Sequence, residues 1–138
     1  SVNKKIKFRE SWRSFSPSII DTLAEEVLGS KHPADYMTMS FDVAPQWREK
    51  LPGLVYKDGT SRAHVVKKEA NPRFYRLLKE FEAVSGFGVL LNSSLNRPGE
   101  AMVCSPEDAL NLFFGSDLEY LIMQDLLVTK RPEPDWDN

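Results

Sequence analysis

A short apolar run that ends in a polar loop, followed by a helix start, constrains this chain more than any other stretch. Residues 89–91 (VLL) predict a buried strand. The polar residues 92–96 (NSSLN) and a turn at 98–99 (PG) follow it. Residues 105–108 (SPED) then supply an N-cap, a first-turn proline and first-turn acids. Such a loop often binds ligands, and here Ser and Asn could hold an anion or a nucleotide. The same side chains could instead satisfy only their own backbone.

The chain as a whole has the size and composition of one globular domain. It has 138 residues, of which 41% are hydrophobic and 28% are charged. The net charge of −2 argues against general binding to nucleic acid. The sequence has no apolar run of the ~18 residues that a membrane helix needs, and its single cysteine, Cys104, fits a reducing compartment. We therefore predict a cytoplasmic protein with no membrane partner. Because the chain begins at Ser1 and not at Met, we expect a piece of a longer protein.

The pattern of hydrophobic residues predicts an α+β (mixed α/β) fold with one twisted mixed sheet and helices packed on it. The predicted helices begin at Ser16 and at Asn71 and end at Gly29 and Gly86, with further helices at 45–50 and 105–114. Strands are predicted at 36–43, 54–56, 61–67, 89–91, 118–123 and 126–128. Residues 57–60 (KDGT) predict a hairpin turn between two of these strands. The tail, residues 131–138, is predicted to be frayed.

No standard catalytic motif is present. The sequence has no P-loop, G-x-G-x-x-G, H-E-x-x-H or G-x-S-x-G pattern, and we predict no metal site. Cys104 and His64 could form a dyad, but a lone cysteine is more commonly a core residue. What remains is a set of cations and the polar loop, a combination that suits phosphate groups. The basic and aromatic arm, residues 1–15, is either an anion-binding rim or a solvated segment whose aromatic rings tuck onto the domain.

Four long segments identify a family. They are IKFRESWRSFSPSI (6–19), LPGLVYKDGTSRAHVV (51–66), NPRFYRLLKEF (71–81) and VLLNSSLNRPGEAMVCSPEDAL (89–110). Through these segments, which occur in the family's order, the chain resembles the C-terminal domain of the NodU/CmcH-type O-carbamoyltransferases. The resemblance covers roughly residues 3–129. That domain is similar to the YrdC-like fold, which carries a K-x-R element far upstream of an S-x-N element. Here these elements are residues 7–9 and 94–96.

The resemblance implies a carbamoyl-activating function. The domain would bind carbamoyl phosphate and ATP, with Mg²⁺, and form a carbamoyl-adenylate. A preceding ATPase-like domain, which carries the family's metal site and is absent from this chain, would pass the carbamoyl group to a hydroxyl of a natural product or an oligosaccharide. We therefore expect that this chain alone does not complete the transfer.

The resemblance also implies site residues. Lys7 and Arg13 would grip the carbamoyl phosphate oxygens, with Arg9 beside them. Ser94 and Asn96 would bind the phosphate or the nucleotide. The further cation facing the site would be Arg62. Of these, Lys7, Arg13 and Ser94 are expected to be catalytic, through positioning and electrostatics and without a covalent nucleophile.

The sequence departs from the family pattern in the loop, and two other functions stay open. The family usually has Asn-Thr-Ser-Phe-Asn at residues 92–96, and Arg97-Pro98 stands where an arginine commonly precedes Gly-Glu. The first alternative is a non-catalytic module that binds a nucleotide or an anion. The second is an RNA-binding YrdC-like domain, against which the acidic net charge counts. The oligomeric state, including a homodimer, is left open.

Overall fold

The computed structural model describes residues 2–8, 10 and 12–130. The predicted frayed tail and Arg9 lie outside the described residues. The chain divides into two compact units. The first, which we call the core unit, is Ser14–Ser93, and the second, the terminal unit, is Ser1–Arg13 together with Ser94–Asn138.

Helices and strands alternate along the chain. In chain order they are α1 (Val2–Lys5), β1 (Ser16–Ile20), α2 (Asp21–Leu28), β2 (Phe41–Asp42), α3 (Pro45–Arg48), β3 (Thr60–Ser61), β4 (His64–Val66), α4 (Pro72–Ser85), β5 (Val89–Asn92), α5 (Pro106–Phe114), β6 (Tyr120–Met123) and β7 (Leu126–Thr129). The predicted α+β class is confirmed. None of the helices in the described ranges combines the length and the apolar character needed to cross a membrane.

The main sheet of the core unit has the strand order β4-β1-β5. Strand β1 runs parallel to β4 and antiparallel to β5, and all five of its residues are buried. Ile20 of this strand and Val66 of β4 pack with Leu78 of α4 to form the core of the unit. A row of aliphatic side chains between a sheet and a helix is the usual way in which an α+β domain buries its apolar surface.

The prediction that a helix begins at Ser16 is wrong. Ser16–Ile20 is instead the central strand, and the helix begins at Asp21, directly after it. The β-branched Ile19 and Ile20 suit a strand, and Pro17 precedes the parallel pairing with β4, which starts at Ser18. The predicted end of the helix is confirmed, because Gly29 adopts the left-handed conformation (φ 60°).

The prediction of one sheet is also wrong, since the strands in the described part of the chain form three. Strands β2 and β3 pair with each other, and so do β6 and β7. The predicted strand at 36–43 shrinks to Phe41–Asp42, and residues 54–56 form no strand. The turn at Gly59 is present (φ 83°), with a hydrogen bond of 2.8 Å from Tyr56 N to Thr60 O. The strand after this turn pairs with β2, which comes much earlier in the chain.

The predicted helix caps of α4 and α5 are confirmed. The Asn71 side chain accepts a hydrogen bond from Phe74 N, and Gly86 closes α4 in the left-handed conformation. Ser105 and Asp108 form a reciprocal capping box at the start of α5. Of the apolar residues of α4, Leu78 is fully buried, whereas Leu77 is 49% exposed and Val84 is 89% exposed.

The terminal unit has a small core of its own. Phe113 and Ala109 of α5 pack against Leu121 of β6, and Val128 of β7 joins them. The predicted pair of closing strands is confirmed as the antiparallel hairpin β6–β7, with Leu121 opposite Val128. Its turn includes Gln124, which has a positive φ of 54°.

Candidate functional site

Lys7 is the centre of a polar site in the terminal unit. Its side chain is buried, with only 8% of the residue exposed. The ammonium group donates hydrogen bonds to the carbonyl oxygen of Ser94, to Ser94 Oγ (3.3 Å), to the carbonyl oxygen of Asn96 (3.1 Å) and to Asn96 Oδ1 (2.9 Å). An ammonium has three protons, so these four oxygens share them. A positive charge is thereby fixed inside the loop.

The N-terminal arm holds Lys7 through backbone contacts. The amides of Ile6 and Lys7 both donate to the carbonyl oxygen of Val2, at 3.0 and 2.9 Å. Asn3, which is also buried, donates from Nδ2 to the carbonyl oxygen of Arg13 at 2.8 Å. These bonds close the arm on itself, so Lys7 approaches the loop from a fixed backbone.

The loop that receives Lys7 is organised by its own polar groups. Ser94 Oγ donates to Asn96 Oδ1 at 2.7 Å, and Asn96 Nδ2 donates to the carbonyl oxygen of Glu100 at 3.0 Å. The backbone of Leu95 accepts from Val103 N at 2.9 Å. The two open interpretations of this loop are therefore compatible: the side chains satisfy local groups, and two of them, Ser94 and Asn96, also surround a cation.

The structure brings together Lys7, Ser94 and Asn96 from the predicted set. Arg13 is exposed, and its guanidinium forms no hydrogen bond or ion pair with another described residue. Arg62 belongs to the core unit, where its Nε lies 3.2 Å from Tyr56 Oη. The predicted role of Arg9 falls outside the described residues.

Arg97, the other cation near the loop, has a structural role. Its Nη2 donates to the carbonyl oxygen of Asn111 near the end of α5 at 3.1 Å, and its Nη1 lies 3.6 Å from Glu100 Oε1. A cation at the carboxyl end of a helix is favourable, because it faces unpaired carbonyl groups. Arg97 thus fastens the far end of the loop to α5.

The chain has the family's signature over nearly its whole length. The family model for the carbamoyltransferase C-terminus matches residues 1–130. The chain belongs to this family.

Three relatives extend the comparison. An uncharacterized protein of Synechocystis sp. is 33% identical in an alignment of length 153, which covers 96% of this chain and 25% of the relative. An uncharacterized protein of Methanocaldococcus jannaschii is 30% identical, covering 94% of the chain and 21% of the relative. Nodulation protein NolO of Bradyrhizobium diazoefficiens is 31% identical, in an alignment that covers 98% of this chain and 26% of NolO.

The chain therefore spans about a quarter of the length of these relatives. The alignment with NolO includes almost every residue of the chain. The membership confirms the resemblance that the four long segments carry. It concerns the carbamoyltransferase C-terminus as a family, and the likeness of this domain to the YrdC-like fold stays a prediction.

In this carbamoyltransferase C-terminus, Cys104 belongs to the terminal unit and His64 to the core unit, and each has a partner within its own unit. Cys104 Sγ lies 3.4 Å from Asp108 Oδ2, and the hydrogen bond and charge of that carboxylate raise the pKa of the thiol. The Ser105 hydroxyl in turn lowers the pKa of Asp108. His64 Nδ1 instead lies 3.2 Å from Ser18 Oγ. A thiol with a raised pKa is a poor nucleophile at neutral pH.

A row of polar side chains in the core unit was missed by the sequence analysis. Ser18 is fully buried, and its hydroxyl lies between His64 Nδ1 and Asn92 Nδ2, which donates to it at 3.0 Å. The three residues lie on β1, β4 and β5, so the row crosses the whole sheet. The parallel register, which sets Ser18 opposite His64, was the missing signal.

Metal binding would need a cluster of ligating side chains. No group of three or more His, Cys, Asp or Glu side chains in the described residues is arranged to hold a metal ion. The candidate site consists of a cation, a hydroxyl and an amide, which are groups that can bind anions through charge and hydrogen bonds.

Proposed function

We propose that this chain is the carbamoyl-activating part of an O-carbamoyltransferase. It binds carbamoyl phosphate and ATP. Water releases inorganic phosphate from carbamoyl phosphate, and an oxygen of the resulting carbamate attacks the α-phosphorus of ATP with loss of pyrophosphate, which gives a carbamoyl-adenylate. The carbamoyl group then passes to a hydroxyl of an acceptor, with another part of a longer protein completing the transfer. Membership in the carbamoyltransferase C-terminus family supports the reaction class.

The convergence of Lys7 with Ser94 and Asn96 carries the proposal. Lys7 lies 87 and 89 residues from these partners in the sequence, and its ammonium still reaches both at hydrogen-bond distance. A buried cation is costly unless its protons are matched by acceptors. The loop provides these acceptors, so the charge is held in place without a bound ligand.

The same groups suit the proposed chemistry. Carbamoyl phosphate and ATP are both anions and repel each other, so an activating site must first neutralise their charges. Lys7 supplies a fixed charge, and Arg13, whose guanidinium has no described partner, supplies a fork that fits phosphoryl oxygens. The Ser94 hydroxyl, which donates to Asn96 Oδ1, would turn to donate to a ligand oxygen in place of that bond. Positioning and charge stabilisation are the main contributions that a phosphoryl-transfer site makes.

Mg²⁺ would accompany ATP in this proposal, bound mainly by the nucleotide's own phosphates. Arg9 would lie beside Lys7, and Arg62 would add a further cation. Both remain predictions that mutagenesis can test.

Calorimetric titration tests the proposal. The full chain is titrated with carbamoyl phosphate and with adenosine 5′-(α,β-methylene)triphosphate, a non-hydrolysable ATP analogue. We expect both ligands to bind, and we expect Ser94→Ala to weaken binding of carbamoyl phosphate. Lys4→Ala is the matched control, because Lys4 is an exposed cation on α1. The absence of binding to this chain and to any longer protein that contains it would overturn the proposal.

A further inference from the structure

The N-terminal arm buries polar side chains and exposes aromatic ones, which is the reverse of the usual arrangement. In its described residues the polar side chains of Asn3 and Lys7 are buried, whereas Phe8 is 67% exposed and Trp12 is 66% exposed. Phe15, the next aromatic residue, is buried as aromatic residues usually are. Leaving two large aromatic rings in water forgoes the favourable free energy of their burial. The arm therefore presents two exposed aromatic rings that a ligand or partner could cover.

The backbone at Phe8 adds a second observation. Phe8 has a φ of 45°, in the left-handed region that an aromatic residue rarely adopts. Strained backbone of this kind is found mainly at functional sites, where the surrounding structure imposes it. Here Lys7 turns inward to the loop, and the next residue exposes its ring. The strained backbone of Phe8 therefore lies at the point where the chain passes from the buried cation of Lys7 to an exposed ring.

The charge of the arm indicates what kind of ligand could cover the two exposed rings. The described residues of the arm include Lys4, Lys5, Lys7 and Arg13, against the single carboxylate of Glu10. An apolar protein partner or a lipid tail would gain nothing from these cations, whereas a nucleotide has both a base that stacks and phosphates that are anionic.

We propose that Phe8 and Trp12 form the stacking surface for the nucleobase of ATP. This inference rests on the proposed function, which assigns the phosphates to Lys7 and Arg13. The arm then binds both ends of one nucleotide, with cations for the phosphates and aromatic rings for the base. Stacking tolerates different bases, because every base has an aromatic face. Binding should therefore discriminate nucleotides from free polyphosphate more strongly than it discriminates adenine from guanine.

Titration of the full chain with two probes tests the stacking surface. The probes are adenosine 5′-(α,β-methylene)triphosphate and inorganic tripolyphosphate, which lacks a base. Phe8→Gly is the preferred variant, because glycine adopts a φ of 45° without strain and removes only the ring. We expect it to weaken binding of the nucleotide by about 5- to 150-fold and to leave binding of tripolyphosphate unchanged. Phe8→Trp should retain nucleotide binding.

Fluorescence supplies an independent readout for Trp12. The nucleotide should quench the tryptophan emission of the wild-type chain, and tripolyphosphate should not. Trp12→Phe should abolish this quenching while a ring remains to bind the base. Tyr36→Ala is the matched control, because Tyr36 is an exposed aromatic residue of the core unit. It should change neither the affinity nor the quenching.

The outcomes separate this inference from the proposed function. If carbamoyl phosphate, tripolyphosphate and the nucleotide all bind but Phe8→Gly and Trp12→Phe behave as wild type, the stacking surface is overturned and the proposed function stands. If the two variants instead abolish self-association of the chain with no effect on nucleotide binding, the rings form a protein interface and the inference fails. If no phosphate ligand binds to this chain or to any longer protein that contains it, both proposals fall together.

Discussion

The ammonium of Lys7 lies 2.9 Å from Asn96 Oδ1, although 89 residues separate the two along the chain. The contact joins the N-terminal arm to the polar loop within the terminal unit. Because Ser94 Oγ also donates to the same Oδ1 atom, one amide oxygen accepts from both a cation and a hydroxyl. The side chain of Asn96 therefore fixes the positions of the two groups that we assign to phosphate binding.

Replacement of Lys7 by methionine should affect both stability and binding. Lys7→Met keeps an apolar stem of similar length but leaves the carbonyl oxygens of Ser94 and Asn96 without their charged donor. We expect the free energy of unfolding to fall by about 2 kcal/mol, within the range for hydrogen bonds to charged groups. Binding of carbamoyl phosphate should fall below detection. Urea unfolding and calorimetric titration measure the two effects.

The matched control for this substitution is Lys4→Met. Lys4 is exposed on α1, so the change removes the same charge from the same arm without opening a buried contact. We expect wild-type stability and only a small loss of affinity from reduced long-range attraction. Equal effects of the two substitutions would mean that the arm acts through its net charge and that the Lys7 contact has no special role.

Replacement of Arg13 should separate binding from stability. The guanidinium forms no hydrogen bond or ion pair with another described residue. The backbone carbonyl of Arg13 accepts a hydrogen bond from Asn3, and Arg13→Ala retains this bond. We expect unchanged thermal unfolding and a loss of carbamoyl phosphate affinity of about 10- to 150-fold, the equivalent of one charge-assisted contact. Arg13→Lys should recover only part of the affinity, because lysine lacks the bidentate fork. Unchanged affinity in Arg13→Ala would remove this residue from the site.

Local signals in the sequence were sufficient for some elements. Helix α4 lies between an Asn cap and a left-handed Gly, and α5 begins with a capping box, so side chains within one turn determine their ends. The hairpin β6–β7 was predictable for the same reason, since its strands are adjacent in the chain. These elements depend on contacts between near neighbours.

Two elements that depend on distant contacts were predicted incorrectly, although the strands at β4 and β5 were predicted. Ser16–Ile20 begins with Ser-Pro-Ser, which resembles a helix start, yet it is a strand because β4 and β5 supply partners on both sides. The predicted strand at 36–43 has alternating residues, but only Phe41–Asp42 finds a partner. Alternation and caps report on local preference, whereas strand pairing is decided by residues far away in the sequence.

The candidate site was only partly accessible to sequence reasoning. The resemblance to a known family singled out Lys7, Ser94 and Asn96, and the structure brings them together. Nothing in the residue pattern alone links an arm to a loop at this separation. The exposure of Phe8 and Trp12 was equally hidden, because an aromatic residue in a sequence is expected to be buried.

Replacement of Ser18 should destabilise the core unit. Its hydroxyl lies at the middle of the row that joins His64 on β4 to Asn92 on β5. Ser18→Ala leaves the two neighbouring polar groups without their shared partner in a buried position, so we expect a loss of about 1–3 kcal/mol in the free energy of unfolding. Ser40→Ala, at an exposed serine of the same unit, should cost little. Wild-type stability of Ser18→Ala would show that the row is replaceable.

Replacement of Asp108 should make Cys104 more reactive. The hydrogen bond and charge of Asp108 raise the pKa of the Cys104 thiol, so in the wild-type chain a smaller fraction of the thiol is ionised at a given pH. Asp108→Asn removes the negative charge, which lowers this pKa and increases the thiolate fraction. We expect the pH–rate profile for alkylation by iodoacetamide to shift to lower pH, with faster labelling at pH 7.5.

A second variant separates this electrostatic effect from damage to α5. Ser105→Ala removes the other half of the capping box but leaves the Asp108 carboxylate beside the thiol. If the charge controls the thiol, Ser105→Ala should keep a labelling profile close to that of the wild type, while Asp108→Asn shifts it. If both variants shift the profile equally, fraying of the helix start is the cause, and the carboxylate does not control Cys104. Because Cys104 is the only cysteine in the sequence, the labelled fraction reports on this one site.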